Sequence, residues 1–191
     1  MSRVTRVAPL VASALLTAGL LALAYAAYVV LEAKAYQTIE HRRFEEASPS
    51  TSALPVVDGN AIGEILILRV GLRAIIAQGD SAAVLRHAVG HLADTALPGE
   101  SGNVVLAGHR DTVFRPLKGV RAGDTIAVKT RQGDFEYVVE STAVVPPSDI
   151  DVLLPTGGRT LTLITCFPFT YLGSAPDRFI VHAREVEGTE R

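Results

Sequence analysis

The sequence predicts a mainly β globular domain, a mostly antiparallel barrel or sandwich of about eight short strands, preceded by one membrane-spanning helix. Three observations carry that expectation. Short apolar or alternating runs separated by Gly, Pro and Asp recur from about residue 61 to the C-terminal end, and runs of that length read as strands. Within this part only residues 81–89 show the i,i+4 apolar pairing of a helix, Val84 with Ala88 and Leu85 with Val89. Val7 to Leu31 contains no charged residue.

The uncharged stretch sets the domain plan. At about 1.5 Å per residue it extends beyond the roughly 30 Å hydrocarbon layer of a bilayer. Arg3 and Arg6 precede it and place the N-terminus in the cytoplasm, with Tyr25 and Tyr28 at the outer interface. Ala22-Leu23-Ala24 and Ala24-Tyr25-Ala26 would serve as A-x-A cleavage sites if the run were a signal peptide, but the run exceeds the apolar core of one. The plan is therefore a cytoplasmic N-terminus over 1–6, a transmembrane helix over 7–31, a stalk over 32–60 and a catalytic domain over 61–191. Glu32–Glu46 is charged and able to extend the helix, and Ala47–Pro55 has a linker's composition.

In the globular part, Ile62–Val70 and Gly71–Ile76 read as two strands across a tight turn. Asp80 or Ser81 caps a helix through Val89, and Gly90 stops it. On that helix His87 falls on the solvent side. His91 follows the stop and precedes Ala96–Glu100, a loop able to bring it near a site, so it is both a candidate structural histidine and the second choice for a base. Asn103–Thr112, Asp124–Lys129, Phe135–Val145, Thr160–Cys166 and Asp177–Ala183 supply further strands. Gly123 and Gly133 mark turns, and Pro146–Gly158 is a long connection.

The single cysteine, Cys166, ends a strand-like run. Alternation puts Leu161, Leu163 and Thr165 on one face and Thr162, Ile164 and Cys166 on the other, so the sulfur leaves the leucine-rich side. A lone cysteine often merely fills space. Here, however, two other strands carry the partners a nucleophilic thiol needs, with His109 after Gly108 at the end of one and Arg178 at the start of another. A base or cation raises the thiolate fraction, and a fixed cation stabilises a developing oxyanion. Phe179, Val181 and Ala183 alternate with Arg178, Ile180 and His182, which sets Arg178 on the less apolar side. His182 shares that face two pleats on and reads as structural.

Thr162-Leu163-Ile164-Thr165-Cys166 resembles the Thr-Leu-x-Thr-Cys motif of sortases, the membrane-anchored cysteine transpeptidases. Ala107-Gly108-His109-Arg110-Asp111-Thr112 and Ser174-Ala175-Pro176-Asp177-Arg178-Phe179 are most similar to class D sortases. The likeness runs from about Gly63 to Val186. It implies an eight-stranded barrel with one or two short helices. It further implies attack by Cys166 on the threonine carbonyl of a Leu-Pro-x-Thr-Gly-like sorting signal, His109 as proton donor and base, and Arg178 on the carbonyl or oxyanion. Thr165 adds a backbone or hydroxyl contact, Asp111 orients His109, and the His91 loop shapes the groove. The implied partners are surface proteins bearing the C-terminal signal, an amine acceptor (cell-wall peptide or pilin lysine) and membrane lipid around the helix, with no cofactor.

Composition narrows the alternatives. A formal charge of −2 with no basic stripe gives no reason to expect nucleic acid as a partner. The chain has no Cys/His metal spacing, phosphate-binding Gly loop or nucleophile-elbow serine. Leu154-Pro155-Thr156-Gly157-Gly158 echoes the sorting signal, but Gly157 stands where threonine belongs, so it reads as a turn. Two rival functions remain: a cysteine hydrolase using the same residues with water as acceptor, and a membrane-tethered binding module with Cys166 inert.

Overall fold

A computed structural model of the chain describes residues 4–46, 58–155, 157–170 and 173–186. Helix α1 spans Val4–Glu46. Eight strands follow: β1 Ala61–Ile67, β2 Leu72–Gln78, β3 Val89–His91, β4 Gly102–Ala107, β5 Thr125–Thr130, β6 Asp134–Val145, β7 Arg159–Phe167 and β8 Asp177–Glu185. They close a barrel in the order β1-β2-β3-β4-β7-β8-β6-β5, and β5 pairs with β1. The expected eight-stranded barrel is therefore present. Most pairings are antiparallel, but β2 with β3 and β4 with β7 run parallel.

Alternation explains the closure. One face of each strand supplies Ile65 and Ile67, Val104 and Leu106, Ile126 and Val128, Tyr137 and Val139, Leu161 and Leu163, or Val181 and Ala183 to one contiguous core. Phe114 and Leu117, from the segment between β4 and β5, are fully buried in the same core. Burying each such side chain is worth about 1.5–3 kcal/mol, so a one-residue slip in any strand would expose a whole set at once.

The expected helix over 81–89 is a single turn, α2, Ala82–Leu85, with the Ser81 hydroxyl accepting from the Val84 amide. Val89, Gly90 and His91 then form β3. Gly90 is thus no helix stop. A side chain there would come within 2.4 Å of the Gly79 carbonyl, so glycine is required by the close approach of a neighbouring chain segment.

Helix α1 continues past the apolar run, as the charged stretch after Leu31 allows, and docks on the barrel. Tyr36 packs on Ala77, Val84 and Ala88 and lies 5.7 Å from the His87 ring. The Ile75 amide, just before the part of β2 that pairs with β3, donates to Gln37 Oε1 at 2.9 Å. Gln37 Nε2 donates to the His87 carbonyl, and His41 approaches the buried Glu64 at 3.1 Å. His87, expected on the solvent side, is half-buried under α1, because the helix returns to cover that face. The expected linker Ala47–Pro55 lies outside the described residues.

Candidate active site

Strand register assembles the site. β4 and β7 run side by side with Ala107 opposite Ile164, and the Gly108 amide donates to the Ile164 carbonyl at 3.1 Å. Two residues further on, His109 leaves β4 level with Cys166. On the other side of β7, Cys166 is the direct cross-strand partner of Arg178. Thiol, imidazole and guanidinium thus rise from three neighbouring strands at one rim of the barrel. Cys166 is half-buried on the outer face of β7, away from Leu161 and Leu163, as alternation requires.

The turn that carries His109 is held from several sides. Its carbonyl accepts from the Phe114 amide at 3.0 Å, and the fully buried Phe114 ring lies against Gly108, where a Cβ would sit 2.7 Å from it. Thr165, only 2% exposed, donates its hydroxyl to the Gly108 carbonyl at 2.7 Å. Arg110 reaches the Gly173 carbonyl at 3.0 Å, joining the turn to the β7–β8 connection. The exposed imidazole therefore stands on a fixed backbone.

Beyond Cys166 the chain passes a cis Phe167–Pro168 bond. Phe167, Phe169 and Phe179 cluster there, with Phe169 and Phe179 edge-on at 5.3 Å and Phe167 stacked on Phe179 at 6.3 Å. These rings tie the end of β7 to the start of β8. Arg178 donates to the Asp177 carbonyl at 3.0 Å and the Ala175 carbonyl at 3.5 Å, which steers the half-buried guanidinium along the rim.

A profile described as a sortase domain matches residues 65–186. The chain belongs to the sortase family. Sortase D of Bacillus subtilis is 36% identical over 129 residues, covering 67% of this chain and 65% of the relative. Sortase SrtE1 of Streptomyces coelicolor is 32% identical over 202 aligned residues, covering 92% of this chain and 56% of the relative. The match thus spans less than two thirds of either curated relative. A solved Clostridium perfringens Sortase D5 transpeptidase superimposes with a TM-score of 0.69 at 32% identity, over 80% of this chain and 97% of that one. Sortase A from Corynebacterium diphtheriae gives 0.64 at 30% identity, over 70% and 64%. The likeness to class D is thereby shown as well.

The structure does not bring the other candidates to the same point. His91 is 1% exposed; its Nδ1 lies 3.0 Å from Gln78 Oε1 and its Nε2 2.9 Å from the Ala96 carbonyl. Burial pushes its pKa below the ordinary histidine value, against an upward pull from the Ala96 carbonyl. Such a ring locks a loop to the barrel and has no nitrogen left for substrate. Asp111 is exposed and makes no hydrogen bond to His109 among the described residues, because the chain turns so that Phe114 and Thr112, not Asp111, meet His109. Thr165 faces the barrel interior, where its hydroxyl is already bonded to Gly108. His182 is half-buried, 3.4 Å from the Thr162 hydroxyl. Sequence reasoning missed Phe114, Arg110 and the phenylalanine cluster. Gly108 directly before a strand-end histidine was the available signal, since a glycine there anticipates a bulky neighbour.

Proposed function

We propose that this chain is a membrane-anchored cysteine transpeptidase of class D type, which cleaves a Leu-Pro-x-Thr-Gly-like sorting signal between Thr and Gly and joins the acyl part to an amine. The observation that carries the reading is the juxtaposition of Cys166, Arg178 and the His109 turn at one rim of a sortase barrel. In this reading the Cys166 thiolate adds to the threonine carbonyl, and the Arg178 guanidinium balances the charge that forms on the carbonyl oxygen. The C–N bond then breaks as His109 gives a proton to the departing glycine amine, leaving a thioester. An incoming amine, with His109 taking its proton, adds to the thioester and releases the thiolate. Surface proteins bearing the signal are the acyl donors, and a cell-wall peptide or pilin lysine is the acceptor.

Helix α1 is the membrane anchor in the same reading. Its Leu10–Arg42 portion is long and apolar enough to cross a bilayer, with the N-terminus cytoplasmic and the barrel outside. The test uses the full chain in detergent or nanodiscs with a Leu-Pro-x-Thr-Gly peptide and an amine. Mass spectrometry should show the amine-capped peptide, and an acyl adduct on Cys166 when amine is withheld. Cys166→Ala should abolish both. Cleavage to free acid in the same proportion with and without amine would refute the transpeptidase reading in favour of a hydrolase.

A further inference from the structure

The outer face of β7 carries more than Cys166. Thr160, Thr162 and Ile164 share that face by alternation, and over its first half lies a cavity of about 1200 Å³ between the 151–158 connection and the outer faces of β8 and β6. Thr160, Thr162 and His182 form its floor, and Glu140 and Arg184, paired with each other, stand at its edge. Asn103, 4% exposed, holds the wall in place. Its amide nitrogen donates to the carbonyls of Val152 at 3.1 Å and Leu154 at 3.4 Å, while its oxygen accepts from the Thr162 hydroxyl at 2.8 Å. One buried side chain thus fastens the connection, β4 and β7 together, so the groove is built into the fold rather than left by a loose loop.

Its distance from the thiol says what fits. At about 3.3 Å per strand residue, Thr162 lies about 13 Å and Thr160 about 20 Å from Cys166 along β7. An extended Leu-Pro-x-Thr segment, its threonine carbonyl at the sulfur, spans at most about 14 Å. Direction follows from the proton chemistry. His109 must face the departing amine, and it stands at the rim where β4 ends, so the acyl residues trail back over the body of β7 toward its start.

We infer that this groove holds the two or three residues immediately N-terminal to the leucine of the sorting signal. The inference rests on the transpeptidase reading and adds a subsite to it. The ligand is extended polypeptide gripped mainly through its backbone: the floor offers hydroxyls and an imidazole, and the charged pair at the edge is mutually neutralised. The site therefore recognises length of chain more than side-chain identity. Its contacts are made equally in ground and transition states, so they act on KM and leave kcat nearly unchanged.

The experiment compares two peptides with the full chain in nanodiscs, one capped directly before the leucine and one extended by three residues. The extended peptide should have a kcat/KM about tenfold higher, through KM. In His182→Ala and in Thr162→Val the ratio of the two peptides should fall toward one. That ratio is read within each variant, so partial unfolding, which lowers both rates alike, leaves it intact. Equal kcat/KM for the two peptides in the unmodified chain, or a ratio that persists in both variants, overturns the subsite while leaving the transpeptidase reading standing. Turnover of neither peptide overturns both.

Discussion

Thr165→Val changes one hydroxyl for a methyl at a site 2% exposed, nearly without altering shape, and removes the 2.7 Å bond to the Gly108 carbonyl. Leaving a buried acceptor without its donor costs about 1–3 kcal/mol. For a domain of this size each kcal/mol moves Tm by about 3–5 °C, so a thermal melt should fall by about 3–12 °C. Because Gly108 precedes His109, the same change loosens the turn that carries the imidazole. Misplacement of about 1 Å costs up to about 100-fold in rate, and a loss of at least tenfold in kcat is expected, with KM little changed. Thr165→Ser keeps the bond and removes only a methyl, so it should lose some Tm but retain most of its rate. A valine variant that melts like the unmodified protein yet turns over slowly would refute this reasoning and place the hydroxyl on the substrate instead.

His109→Ala should retain the fold and lose about 10²–10⁴ in rate, as for a missing acid–base group, whereas His91→Ala should lower Tm first; a folded His91→Ala that loses more rate than His109→Ala would reverse the assignment. Burial holds the His91 pKa below the model value of 6.5, so the unfolded chain binds the extra proton and the stability this ring contributes is present above about pH 6.5 and lost as pH falls toward its folded pKa; His91→Gln should show a smaller drop in Tm over that window. Arg178→Lys should keep Tm and cost about 2.7–4 kcal/mol of transition-state stabilisation, about 10²–10³ in kcat, because a point charge on a flexible stem does not reproduce the planar fork, and full activity would remove the oxyanion role. Gln37→Ala should raise hydrogen exchange of the Ile75 amide about fivefold, the equivalent of about 1 kcal/mol, in the full chain; unchanged exchange would mean that α1 does not cover β2 in solution.

The sequence by itself determined the strands, the faces they bury and the residues able to act. Alternation alone put Leu161 and Leu163 inward and Cys166 outward, because side-chain direction in a strand is a local property of the chain. The same holds for the uncharged run to Leu31, whose length is read directly. Long-range pairing decided the rest. β4 lies parallel to β7 and β8 antiparallel to it, and only that arrangement brings the end of one strand, the end of another and the start of a third to a common rim. His91 shows the limit most plainly. Its neighbours Val84, Leu85, Ala88 and Val89 satisfy helical spacing, yet β2 and β4 offer backbone partners that draw residues 89–91 into a strand and bury the ring. Tertiary hydrogen bonds overrode the local pattern there, just as the return of α1 to the barrel covered a histidine that the helix face alone would leave in water.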